Sequence, residues 1–139
     1  MYKRQVDVTS IGESITTFET WSGLMLDNLG AYYRVYRDAL KNAYIAFGSK
    51  YLVDMADLGD TLLADSRFSN AALRTATTDM VTAVDDAVLA VHSCSALPDA
   101  RGLTLWWGVK GDWSYYGPLY PDIQYAIDTG WDDFLADYN

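Results

Sequence analysis

From Ile11 onward apolar residues recur at helical spacing, with Ile11, Ile15, Phe18, Met25 and Leu29 following at steps of three, four and seven. Trp21 and Leu26 widen that stripe, the pattern of an amphipathic helix with a broad buried side. Ser10 stands three residues before Glu13, the capping-box spacing, and Gly30 follows where a helix stops, so the spacing predicts a helix over 10–29. A second helix is predicted over 31–47, where Val35, Ala39, Ala43 and Phe47 recur every four residues before Gly48 and Ser49 break it. After a short extended lead-in at Tyr51–Val53, Asp54 is placed to cap a helix over 55–64. Met55, Leu58, Leu62 and Leu63 supply its buried side, and Gly59 weakens it by about 1 kcal/mol relative to Ala. The longest pattern runs over 70–90, with Leu73, Thr77, Met80, Val84, Val88 and Val91 in period. Thr75, Thr78, Asp79, Thr82, Asp85 and Asp86 fill the other positions and should face water.

At "ARGLTLWWG" the period changes to two. Leu103, Leu105 and Trp107 would share one face of a strand, and Thr104 and Trp106 the other. Both faces are largely apolar, which asks for cover on both sides. "GVKGDWSYYGPLYP" reads as an ordered surface loop, and Pro121 suits the first turn of a short helix through Ile127. Thr129 with Asp132 is placed to cap a last helix whose inner face is Trp131, Phe134, Leu135 and Tyr138. The expected fold is α+β and mostly helical: about four to five helices packed with a small β element around 102–107. No repeat or linker divides residues 1–139, so a single domain is expected.

Composition narrows the function. Half the residues are apolar and 14% aromatic, enough for a real core. Nineteen acidic side chains against ten basic ones leave a net charge of −9. That balance argues against nucleic acid and against anionic membrane surfaces, both of which want clustered Lys and Arg. Asp outnumbers Glu 17 to 2, yet no Asp-x-Asp-x-Asp-Gly calcium loop appears, and these residues read as caps and turns. The single cysteine, Cys94, excludes an internal disulfide, and no 18-residue apolar run is present. The Met-Tyr-Lys-Arg start is compatible with a cut inside a longer protein.

Candidate chemistry is sparse. His92 and Cys94 are two residues apart and invite a cysteine-hydrolase reading. Dyad members normally converge from separate loops, so both are read as structural, and no catalytic residue is assigned. One His and one Cys cannot fill a metal site, and neither a phosphate loop nor a Gly-x-Ser-x-Gly elbow is present, so no metal or cofactor is expected. There remains an aromatic cluster over 106–120: Trp106, Trp107, Trp113, Tyr115, Tyr116 and Tyr120. Trp107 is assigned to the chain's own core. Trp106, Trp113, Tyr115, Tyr116 and Tyr120 form the candidate contact surface, since exposed large apolar groups mark contact sites.

Three stretches, "YLVDMADLGDTLL", "ARGLTLWWG" and "YAIDTGWDDFLADY", together and in that order resemble the C-terminal part of the clostripain-like cysteine peptidases. Val53, Asp54 and Leu58 fall within the first family phrase. Gly102, Leu103, Thr104, Leu105 and Trp106 fit the second, and Thr129, Trp131, Asp132, Asp133, Phe134, Leu135 and Tyr138 fit the third. The opening helix with "VDVTSIGES" also looks like the family's helix downstream of its catalytic region. The family strand usually ends in Phe-Pro, where this chain has Trp107 and Gly108. No catalytic residue carries over: the family's histidine precedes glycine and its cysteine follows an acidic residue, whereas His92 precedes Ser93 and Cys94 lies between two serines. The resemblance implies a secreted or cell-envelope parent with a caspase-like α/β sandwich, cleaving after basic residues. This chain would be its noncatalytic C-terminal region, with the catalytic domain as partner and peptide or protein substrates met through the parent. A stand-alone peptide- or carbohydrate-binding module using the aromatic loop is the alternative.

Overall fold

A computed structural model describes residues 3–7, 10–43, 51–92, 101 and 103–139. The chain is mostly helical with a small β component. In order, the elements are β1 (Lys3–Val6), α1 (Ile11–Asp27), α2 (Leu29–Asn42), β2 (Leu52–Asp54), α3 (Met55–Ala64) and α4 (Ala71–Ala87). They continue with β3 (Val88–His92), β4 (Thr104–Trp106), α5 (Lys110–Tyr116), a 3₁₀ segment (Gly117–Asp122), α6 (Gln124–Thr129) and α7 (Trp131–Tyr138). Among the described residues there are seven α-helices, more than the four to five expected. The strands form two separate antiparallel pairs, β1 with β3 and β2 with β4.

Helix α1 lies against α4, α6 and α7, and α3 packs on α4. Phe18, Trp21 and Met25 of α1 are buried as their spacing requires. So are Leu73, Thr77, Met80 and Val84 of α4, while all six polar positions read as its wet face are exposed. Thr77 earns its inward place chemically. Its hydroxyl accepts the Trp21 indole N–H at 3.0 Å and donates to the Leu73 carbonyl at 2.7 Å, which leaves neither buried group unpaired.

Several expectations change. The first helix breaks at Asn28 rather than Gly30: the Asn28 side chain donates to the Leu24 carbonyl at 2.8 Å, and Gly30 lies in the first turn of α2. Ser10 caps no amide; its hydroxyl contacts the Asp7 carboxylate instead, so the capping box with Glu13 does not form. Thr129 likewise does not cap α7, because its hydroxyl donates to the Tyr125 carbonyl at 2.7 Å. Gly130, at φ +62°, turns α6 directly into α7, a left-handed conformation in which glycine meets no Cβ penalty. The long helix stops at Ala87, not near 90, and Val88–His92 extends to pair with β1. Val88 and Val91 suit either state, and only the pairing with Lys3–Val6, a strand the sequence did not announce, decides between them. Phe47, Gly48, Ser49 and Cys94 lie outside the described residues, as does the side chain of His92.

Asp54 behaves as its sequence position foretold, and does more. Its carboxylate accepts the Asp57 amide at 3.1 Å, capping α3, and also the Arg101 amide at 2.8 Å, tying the start of α3 to the approach of β4. The Arg101 guanidinium then pairs with Asp60 of α3 and Asp85 of α4. Desolvation, only partly opposed by the two amides, raises the Asp54 pKa above the usual carboxylate range. The folded state therefore holds this proton more firmly than the unfolded chain does. The charged carboxylate weighs against folding at neutral pH, and that cost is relieved as pH falls through the raised native pKa. Melting temperature followed against pH should show the native protein gaining stability relative to Asp54→Asn over that acidic window. A difference that stays flat, or falls, would contradict this environment. The exposed carboxylates Asp38 and Asp65, held low by Arg67, are present in both proteins and drop out of the comparison.

Candidate functional site

The strand that carries the paired tryptophans is where the core and the outer surface meet. Backbone bonds run from the Met55 amide to the Leu103 carbonyl at 3.0 Å and from the Trp107 amide to the Tyr51 carbonyl at 2.8 Å, so the β2–β4 ladder spans the whole of 103–107. Alternation then sends the two indoles apart. Trp107 is fully buried and meets Trp131, Phe134 and Tyr138 edge-on, at 5.3, 5.3 and 5.2 Å. Trp106 stays half-buried on the opposite face.

That second face is covered in part by the chain itself. The segment read as a loop is helical: α5 runs from Lys110 to Tyr116 and the 3₁₀ turn follows. The aromatics impose this order. Trp106 packs on Tyr120 at 4.9 Å, on Trp113 at 6.2 Å and on Tyr116 at 6.3 Å. Gly117 passes so near the Trp113 ring that a Cβ there would sit 2.7 Å from Cε2. The 3₁₀ turn accepts Pro118 at its start, where the missing N–H has no partner to lose.

Between this cover and the β2–β4 pair lies an open groove of about 530 Å³, lined by Tyr51, Leu52, Trp106, Tyr116, Leu119, Tyr120 and Ile123. Of the five candidate contact residues, Trp106, Tyr116 and Tyr120 line it. Trp113 supports Trp106 from beside the groove. Tyr115 stands outside at 72% exposure, with its ring against Tyr116. Tyr51, Leu52, Leu119 and Ile123 were not singled out from sequence; Leu52 arrives as the cross-strand partner of Trp106, a register that only folding sets. Leu119 and Ile123 are 61% and 46% exposed, so the groove's outer lip is apolar and wet.

Burial pushes the Tyr120 phenol up to about 12, with the Asp132 carboxylate adding to the shift, so the hydroxyl is a neutral donor and acceptor at physiological pH. The described lining carries no carboxylate, imidazole or thiol and is mostly aromatic and aliphatic, a surface suited to apolar or aromatic groups. Among the described residues, no cluster of three or more His, Cys, Asp or Glu could hold a metal ion, and no helix is long and apolar enough to cross a membrane. Comparison of the chain with protein-family models, curated proteins and solved structures returns no match.

Proposed function

We propose that the chain is the noncatalytic C-terminal region of a clostripain-like cysteine endopeptidase, packing on the catalytic domain and supporting its shape. The observation that carries this reading is the convergence of the three stretches that bear the resemblance. The first supplies β2 and Asp54, the second supplies β4, and the two are joined by the strand ladder and by the Arg101 amide on Asp54. The third supplies Trp131, whose indole donates to the Trp106 carbonyl at 3.0 Å. Three distant phrases thus meet in one packed unit, which supports reading them together. The caspase-like sandwich, the catalytic His and Cys, and cleavage after basic residues belong to the parent in this reading. The groove at Trp106, Tyr116 and Tyr120 is the surface offered to the catalytic domain.

Alone, the chain is expected to release no fluorophore from an arginyl amide. Mixed with the polypeptide encoded immediately upstream in its gene, it should support thiol-blockable turnover that weakens in Trp106→Asp. An upstream sequence lacking both a His-Gly and an acidic-x-Cys phrase would overturn the proposal. So would turnover by the chain alone that disappears in Cys94→Ala.

The groove itself favours a second reading, a stand-alone peptide- or carbohydrate-binding module. Flat, amphipathic aromatic side chains bind such ligands at low entropic cost. Saturable binding of an oligosaccharide or peptide, lost in Trp106→Ala, would move the assignment to that class.

A further inference from the structure

The aromatic groove holds more hydrogen-bond donors than its own fold uses. Trp106, Tyr116 and Tyr120 line it, and among the described residues their indole N–H and two hydroxyls make no hydrogen bond. Tyr120 is only 8% exposed, so packing fixes its ring, and its raised pKa keeps the phenol protonated and able to donate. The indole N–H of Trp106 can only donate. Polar groups set this deep in an apolar surface favour a partner that brings its own acceptors.

The shape of the groove narrows that partner. Trp106 lies 4.9 Å from Tyr120 with planes 31° apart, while Tyr116 stands 6.3 Å away at 79° to the Trp106 ring. Flat faces are thus presented in two orientations, and Leu119 and Ile123 add an exposed aliphatic lip. No charged side chain and no side-chain amide stands among the described lining residues.

We propose that this groove seats an uncharged, proline-rich segment of a partner protein in the polyproline II conformation. Proline rings are rigid and apolar and pack well on aromatic faces. A polyproline II helix has no internal hydrogen bonds, so its carbonyls stay free, and each proline lacks an N–H. A ligand rich in acceptors and poor in donors therefore meets a lining rich in donors, which is electrostatic complementarity between dipoles. A sugar fits less well: its hydroxyls donate as well as accept, and they want carboxylates and amides that the lining lacks. An ordinary extended strand likewise brings amide donors that find few acceptors there. Three residues complete a polyproline II turn of about 9 Å, so prolines at P-x-x-P spacing return to one face and meet the groove together. Such a segment is already ordered before it binds, which lowers the entropic cost of seating it. The inference rests on the reading of this groove as a contact surface and names the chemistry of what it contacts.

The test is fluorescence anisotropy of the full chain with the labelled peptide Gly-Pro-Pro-Leu-Pro-Pro-Gly. A version with every proline replaced by alanine, and a labelled linear glucan hexamer, serve as controls. The proline peptide should bind saturably, and affinity should fall roughly tenfold, or more, for the alanine peptide. The same loss is expected for Leu119→Asp, whose exposed side chain can change without disturbing the core. Tyr116→Phe combined with Tyr120→Phe removes two hydroxyls and leaves the rings, and should also weaken binding. Melting curves run on each variant separate lost binding from lost fold. No saturable binding of the proline peptide, equal binding of the alanine peptide, tighter binding of the glucan, or binding unchanged by either set of substitutions would each overturn the proposal. Thiol-blockable turnover with the upstream polypeptide reports on the peptidase reading alone, so the two can fail separately.

Discussion

Replacing Trp131 by Ala should cost about 3–5 kcal/mol, the range for deleting a large buried aromatic side chain. Trp131 is fully buried where α1, β4 and α7 meet. Its ring stacks on Trp21 at 5.7 Å and 10° and on Phe134 at 4.6 Å and 22°, and takes the edges of Phe18 and Trp107 at 5.4 and 5.3 Å. Its indole N–H also satisfies the Trp106 carbonyl, so truncation opens a cavity and leaves a backbone acceptor unpaired at once. Denaturant unfolding of the two proteins measures the difference. A loss below roughly 1 kcal/mol would mean that this ring does not join the last helix to the core. Trp131→Phe should recover much of the packing while still lacking the hydrogen bond, and should fall between the two.

The second large effect is expected at Gly59, and its direction opposes the reading from sequence alone. As an isolated helix position Gly59 costs about 1 kcal/mol relative to Ala, and substitution would be expected to stabilise α3. In the fold, α3 lies so close to α4 that a Cβ at Gly59 would collide with Val81 Cγ2 and touch Met80 Cε at 3.0 Å. Val81 is branched at Cβ and Met80 is buried, so relief requires these side chains to leave their packed positions or the helices to separate. Gly59→Val should therefore destabilise by about 1–3 kcal/mol despite the gain in backbone restriction. Thermal and denaturant unfolding would show it. A variant as stable as the native protein would mean that α3 and α4 have room to spare.

Period and capping, read from residues alone, account for much of the molecule. The buried faces of α1, α3, α4 and α7 follow from spacing, because a helix with an apolar stripe has one way to hide it. Asp54 at the head of α3 follows from the short carboxylate that a helix start prefers. The separation of Trp106 from Trp107 follows from strand alternation, whatever the strand pairs with. What local sequence could not decide is where competing local signals are settled by distant residues. Val88–His92 continues a helical pattern and becomes a strand because Lys3–Val6 is there to pair with it. The Gly- and Pro-rich run at 108–121 has weak helix propensity, and its order comes from rings that must pack on Trp106. Thr129 had the makings of a cap, but Gly130 can take a left-handed turn and frees that hydroxyl for Tyr125. The candidate site divides the same way: Trp106, Tyr116 and Tyr120 were visible as a cluster of large amphipathic side chains. Leu52 joins them only through the β2–β4 register, because cross-strand neighbours are set by pairing and never by proximity along the chain.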